Sequence, residues 1–336
     1  MPKYAVMQNP GHNRVYFNSS GKLAKNELAA LFSENIENIN EEIFGGVEYI
    51  TFESHELSEN DLILLSRLSF VYAIFEIRGE VFAPVQKNHS YFFSDDLNMI
   101  LKYSGKTNEL FTRMMINLAV FASKFNFLDN LNLLDPVCGK GTTVFDGLIC
   151  GYNSYGIDIS EKLINESAQF FKKYLETGKY KHSHKKEKIS GPNFKSQKYF
   201  FEAAKNKSDQ KSDKTLLCEF ISGDSVNANK YYKKNFFNII VGDLPYGIQH
   251  DNSAFGNKMR NPTDLIGACV PAWLEVLKPG GGLAVAWNTF LLKREQVEQI
   301  FKANGLEIID FGDFSHKVDQ AIMRDVIIVR KLLTTK

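Results

Sequence analysis

Four aspartates and two glycines carry the chemistry that is legible in this chain. Asp135 follows the apolar run Leu131-Asn-Leu-Leu134. It opens the turn Pro136-Val-Cys138-Gly139-Lys-Gly141, and a helical pattern starts at Thr142. Strand, tight glycine loop and helix form a seat where a ligand meets the main chain with no Cβ in the way. Asp158 closes Tyr155-Gly-Ile-Asp158 seventeen residues after Gly141, where a carboxylate accepts hydrogen bonds from ribose hydroxyls. Asp224, in Ser222-Gly-Asp-Ser225, ends a third run at a height suited to an adenine edge. Asp243 ends a fourth and leads into Leu244-Pro245-Tyr246-Gly247. There the proline stiffens the turn, while Asp243 and the Leu244 carbonyl can accept from an amino group. Tyr246 offers a flat face to a planar base.

Taken singly, each acid reads equally as a helix N-cap, and Pro-Tyr-Gly as a strand-end turn with a core tyrosine. An acid at the end of four successive strands is harder to obtain by chance, which favours a site. Two other motifs fail. The third glycine of a dinucleotide fingerprint is replaced by Val144, and Gly105-Lys106-Thr107 has Ile100 where a phosphate-binding loop needs glycine.

The positioning elements follow from periodicity. Residues 1–95 read as a small α+β auxiliary unit. Its expected strands include Arg14-Val-Tyr-Phe17, 47–52 and 70–77, with helical spacing at Leu28, Leu31, Phe32 and Ile36. Residues 88–105 read as a linker. From 96 to 336 helices and strands alternate, which predicts an α/β domain with a mostly parallel sheet. The last two strands, 306–309 and 325–330, have no helix between them and should pair antiparallel at one edge. Residues 178–214 break the rhythm. They are lysine-rich and poor in aliphatics, which predicts an insertion that is disordered or only partly ordered.

Composition sets the outer bounds. The chain has 336 residues, 44% hydrophobic and 24% charged, which is ordinary globular composition. No run approaches the ~18 apolar residues of a membrane span, and the start lacks a secretory pattern. Cys138, Cys150, Cys218 and Cys269 are scattered, so neither a zinc site nor a disulfide framework is expected, and a cytoplasmic location is. The net charge of +1 conceals an asymmetry. Residues 1–98 hold seven basic and fourteen acidic side chains, whereas 172–214 hold thirteen lysines against five acids.

Asp135-Pro-Val-Cys-Gly-Lys-Gly-Thr142 resembles the first motif of class I S-adenosylmethionine-dependent methyltransferases acting on exocyclic amines. Asp243-Leu-Pro-Tyr246 resembles their second motif, in the form typical of tRNA guanine-N2 methyltransferases of the TrmN type. Leu277-Lys-Pro-Gly-Gly281 is similar to that family's turn before the fifth strand. The resemblance implies a Rossmann-like methyltransferase domain and S-adenosylmethionine as cofactor, with no metal. Asp135, Cys138, Gly139, Gly141 and Thr142 would then shape the methionine pocket, Asp158 would hold the ribose and Asp224 the adenine. Asp243, the Leu244 carbonyl, Pro245 and Tyr246 would grip and stack the target base, with Asp243 also lining the cofactor.

The implied partner is RNA, foremost tRNA, and no membrane is implied. In that family a THUMP domain with an adjoining subdomain precedes the catalytic part. Residues 1–95 are short for both and acidic, which is poor for gripping phosphates. A reduced THUMP-like unit, phosphate contacts from the lysine-rich insertion, and RNA binding by a partner protein all remain open. Two other functions stay in view: a DNA adenine-N6 or other amino methyltransferase, and an inactive RNA- or cofactor-binding module.

Overall fold

The computed structural model describes residues 1–11, 14–32, 35–87, 91–100, 106–191, 194–245 and 262–333. The chain begins with β1 (Lys3–Gln8), α1 (Arg14–Phe32), β2 (Ile36–Phe44), β3 (Val47–Ser54), α2 (Glu59–Ser66), β4 (Val71–Arg78) and β5 (Val81–Val85). These strands form one antiparallel sheet in the order β2-β3-β1-β4-β5.

The segment Arg14–Phe17, expected as a strand, is the first turn of α1. Tyr16, Ser20, Leu23 and Glu27 are all buried, four and three residues apart. Two of the four are polar, so the first half of the helix does not stand out as an apolar stripe. Glu27 accepts from the Ser69 amide at 3.1 Å and from Asn117 Nδ2 at 2.7 Å, and burial raises its pKa.

Between the two sheets lie α3 (Asp96–Met99) and α4 (Glu109–Ala122). The expected linker is therefore more than a tether: Phe93 and Leu97 are buried in a cluster with Phe145 and Phe171. Residues 88–90 and 101–105 lie outside the described part. Asn108 caps α4 by accepting from the Phe111 amide at 3.0 Å.

The second sheet then unfolds in order. It comprises β6 (Asn132–Asp135), α5 (Thr142–Ile149), β7 (Asn153–Asp158), α6 (Glu161–Thr177), β8 (Lys181–Gly191), β9 (Phe194–Ala204), α7 (Lys207–Lys211), β10 (Leu216–Ser222) and α8 (Ala228–Tyr231). β11 (Phe237–Asp243), α9 (Pro262–Val276), β12 (Leu277–Asn288), α10 (Arg294–Ala303), β13 (Leu306–Ile308), β14 (His316–Lys317) and β15 (Met323–Lys331) complete it. The strand order is β13-β15-β12-β11-β6-β7-β10-β9-β8, with β14 added on β15. The five central strands β12, β11, β6, β7 and β10 are parallel, and β15 and β13 run antiparallel as expected.

The lysine-rich segment corrects an expectation. Residues 181–191 and 194–204 pair as two long antiparallel strands, a β-hairpin that extends the sheet beyond β10. Aromatic residues supply what the missing aliphatics do not. Tyr199, Phe201 and Ala203 alternate along β9 and are buried against Phe171 and Phe220.

Helix α4 packs on β12, β11 and β15 and comes closest at Gly282. A Cβ on Gly282 of β12 would stand 1.9 Å from the Ala119 carbonyl oxygen and 2.9 Å from the Ala119 carbonyl carbon. The helix can lie this close only against a bare Cα. We therefore expect Gly282→Ala to destabilise the protein by ~3 kcal/mol or more. Gly267→Ala, on α9 with nothing within 4 Å of its Cβ position, should stabilise by ~1 kcal/mol. Denaturant unfolding of the two variants side by side checks this, and an equal response would refute the contact.

Candidate active site

Parallel pairing decides where the sequence-derived residues meet. Ile239 and Ile240 of β11 pair with Leu133 and Leu134 of β6, so Asp243 and the loop after Asp135 leave the sheet at the same rim. β7 and β10 end there too, with Asp135 opposite Gly156 and Ser222 opposite Asp158. The chain runs outward from β6 through β7 to β10, then returns to β11 on the other side. That reversal is the switch point where open α/β sheets bind ligands.

The glycine loop is tied down by its neighbours. The Cys138 amide donates to the Ile157 carbonyl at 2.9 Å, and the Gly139 amide donates to Asp158 Oδ2 at 2.8 Å. The two glycines do different work. Gly141 is the N-cap residue of α5 at φ 86°, and a Cβ there would stand 3.0 Å from the Phe220 ring. Conformation and packing both demand it. Gly139, at φ 51°, has no atom within 4 Å of its Cβ position and faces open space. Cys138 and Thr142 are buried, at 6% and 7% exposure. The Cys138 thiol packs beside Gly156, and burial pushes its pKa well up.

Each rim carboxylate has donors of its own. Asp158 also accepts from the Ser160 amide at 2.9 Å, and its main-chain carbonyl accepts from Gly223 at 2.8 Å. Its pKa is raised by burial, against the pull of those two amides on its carboxylate. Asp224 accepts from the Val226 amide at 3.1 Å, so part of the capping role anticipated for such acids is realised. Asp135 is 3% exposed and accepts from the Val137 amide at 3.0 Å. Burial lifts its pKa to about 7; a hydrogen bond from Thr143 opposes that, and the charges of Asp158 and Asp243 add to it.

Asp243 has partners that sequence reasoning missed. Thr107 Oγ1 donates to Asp243 Oδ2 at 2.7 Å, and an Arg324 guanidinium nitrogen lies 3.4 Å from the same oxygen. Arg324 comes from the rim end of β15 and lies over the Phe111 ring, 4.5 Å from its centroid. Beside it His316 stays neutral, its pKa lowered to about 4 by burial, with Nδ1 3.0 Å from the Phe314 carbonyl. The one sequence signal was the Asn108 cap, which places Thr107 at a helix start; nothing local pointed to Arg324. The Leu244 amide continues the ladder by donating to the Ala286 carbonyl at 2.9 Å, and its side chain is buried. Pro245 is exposed. Tyr246 lies outside the described residues.

A parallel five-stranded centre that reverses between β6 and β11 and closes on the antiparallel pair β15 and β13 is the architecture the resemblance implies. The chain has the class I methyltransferase fold. No protein-family model matches the sequence, and no curated protein matches it. Among solved structures the chain is similar to TrmN from Thermus thermophilus, with 12% identity, a TM-score of 0.42, and coverage of 99% of this chain and 100% of that one. It is similar to an rRNA methylase from Streptococcus thermophilus at 14% identity and TM-score 0.36, covering 66% of this chain and 95% of that one. Magnesium protoporphyrin IX methyltransferase from Synechocystis with bound SAM is similar at 13% identity and TM-score 0.40, over 68% and 86% of the two chains.

The buried Asp135 carboxyl has a stability consequence whose sign is fixed. A carboxyl raised from 3.8 to about 7 binds a proton more tightly when folded, so its contribution is present below about pH 4 and lost as pH rises through 7. Asp135→Asn keeps an oxygen acceptor for Val137 and removes the charge. The thermal midpoint of the ligand-free variant should therefore gain on the parent as pH is raised from about 5 to about 8. A gap that stays constant across that range would rule out the raised carboxyl.

Proposed function

We propose that this protein transfers a methyl group from S-adenosylmethionine to the exocyclic N2 amine of a guanosine in tRNA. One observation carries the reading: Asp243-Leu-Pro leaves the fourth parallel strand beside the Asp135–Gly141 loop, on the same rim. A Cβ added at Gly242 would stand 3.4 Å from Val137 and 3.5 Å from Pro136, so the two loops abut.

The residues fit the cofactor. Gly139 leaves open space above the loop, and Asp158 spends one acceptor site per oxygen on main-chain amides, leaving lone pairs for a ribose diol. A cationic ligand relieves the repulsion that Asp135 feels from Asp158 and Asp243. Asp224 is the acceptor for the adenine amine. When bound, S-adenosylmethionine supplies a methyl group on a positively charged sulfur. The chain's own task is then alignment and charge. Asp243 and the Leu244 carbonyl accept from the two hydrogens of the target amine. This draws its lone pair out of conjugation and stabilises the positive charge that develops on nitrogen. The resemblance assigns Tyr246 the role of stacking on the base. Thr107 and Arg324 hold the Asp243 carboxylate in place while it does so. Proton release goes through Asp243 or directly to water, and no covalent enzyme intermediate is involved.

The test compares the parent protein with Asp243→Ala for S-adenosylmethionine affinity and for methyl transfer to tRNA and to duplex DNA. Transfer to tRNA should fall by ~100-fold or more while cofactor affinity changes little. Retained transfer removes Asp243 from its role. Methylation of adenine in DNA by the parent protein replaces this reading with the DNA enzyme, and cofactor binding with no transfer replaces it with a binding module.

A further inference from the structure

Among the described residues, the most lysine-rich surface outside the proposed reaction centre is the β8–β9 hairpin. β8 is the outer edge of the large sheet and carries Lys181, Lys185, Lys186 and Lys188 against the single acid Glu187. All four lysines are exposed. Lys186 leans on the Tyr199 ring at 5.0 Å. Among the described residues Lys181, Lys185, Lys188 and Lys195 have no acidic partner. Lys198 on β9, by contrast, is matched with Glu219 at 2.5 Å. The fold neutralises the lysine that is turned toward the sheet and leaves its outer neighbours unmatched.

Lysine on an edge strand also discourages pairing with other chains. That role does not account for the extent of the charge. Residues 178–214 hold eleven lysines against four acids in a chain of net charge +1. Several of these, including Lys195, Lys207, Lys211 and Lys214, lie off the edge strand. Like charges gathered this way repel one another, and a polyanion lying along them removes the repulsion and releases counterions.

The register aims the hairpin at the rim. Gln197 of β9 pairs with Ser222, the last residue of β10, two positions before Asp224. The two strands pair as far as Gly191 and Phe194, beyond that point, so this end of the hairpin stands at the rim that carries the aspartates. Phe194 and Ser196 anchor it there through Tyr231, at 5.2 Å between rings and 3.4 Å between hydroxyls. Lys188 and Lys195 are nearest the rim, and Lys185 and Lys181 follow down the strand. From Lys181 to Lys188 is ~23 Å at the usual strand rise, a span of several phosphates. β8 lies five strands from β11, ~24 Å from Asp243. A single nucleotide does not bridge that distance, whereas a folded RNA does. The other unit available for the task, residues 1–98, is acidic overall and repels phosphates.

We propose that the β8–β9 hairpin is the arm that grips the phosphate backbone of an RNA substrate, through Lys181, Lys185, Lys188 and Lys195. This rests on the RNA methyltransferase reading and names the surface that delivers its substrate. The test replaces the four lysines with glutamine in the full chain and confirms folding by the thermal midpoint and by unchanged S-adenosylmethionine affinity. Binding of tRNA is then measured at several salt concentrations. We expect affinity to fall at least ~10-fold and the slope of log affinity against log salt to lose about three of its counterions. Transfer to a short RNA stem, too small to reach the hairpin from Asp243, should be unaffected. Unchanged tRNA affinity and slope in a variant whose parent methylates tRNA overturn the arm and leave the proposed function standing. A parent protein that methylates duplex DNA and not tRNA overturns both.

Discussion

Four carboxylates stand at the ends of neighbouring parallel strands, and like charges in a half-buried rim repel. The local structure is organised around containing that repulsion. Three of them receive main-chain hydrogen bonds: Asp135 from Val137 and Asp224 from Val226 in their own turns, and Asp158 from Ser160 in its own turn and from Gly139 in the neighbouring glycine loop. Asp243 receives the Thr107 hydroxyl and the nearby Arg324 guanidinium instead. Main-chain amides are rigid donors, so the acids are oriented as well as stabilised. Asp135 is also buried, and that burial, with the charges of Asp158 and Asp243 adding to it, raises its pKa. Under the proposed function such a rim would receive a cationic ligand that also carries hydroxyl and amine donors.

The rim holds its shape because the surrounding elements are locked by buried polar contacts. Arg113 of α4 meets Asp146 of α5 through two hydrogen bonds of 2.6 and 2.8 Å, and reaches the Tyr91 hydroxyl at 2.7 Å. This fixes α5, and with it the glycine loop, against the helix that presents Thr107. Arg67 from the N-terminal sheet region donates to the Cys150 carbonyl at 2.6 Å, at the far end of α5. Glu27 of α1 meets Asn117 of α4. Broken singly, such buried pairs leave an uncompensated charge, so they specify one arrangement of the helices. The N-terminal unit thereby braces the catalytic layer, and nothing in its charge suits it to phosphate.

The hairpin shows how composition misleads where pattern does not. Counting aliphatics in 178–214 gives a disordered segment, because lysine and serine dominate. The alternation of Tyr199, Phe201 and Ala203 lies within that count, and one buried face per strand suffices to join a sheet that already exists. β8 itself has almost no buried surface and is held by its ladder to β9. Such a strand is stable only in the company of others, which is why its own sequence does not announce it.

The sequence by itself determined the alternation of strands and helices after residue 96 apart from the β8–β9 pair, the turn at Gly139, and the acids that end the four strands. These are local facts, written in periods of two and of three to four residues and in the chemistry of glycine and proline. Tertiary structure decided the rest. Asp243 and Thr107 are 136 residues apart, and Arg324 arrives from the far end of the chain because β15 turns back beside β12. The first turn of α1 became helix rather than strand because a polar face, Ser20 and Glu27, found buried partners in other elements. Contacts of that range depend on strand order and helix docking, which are settled by the packing of the whole chain and leave no trace in any short stretch of it.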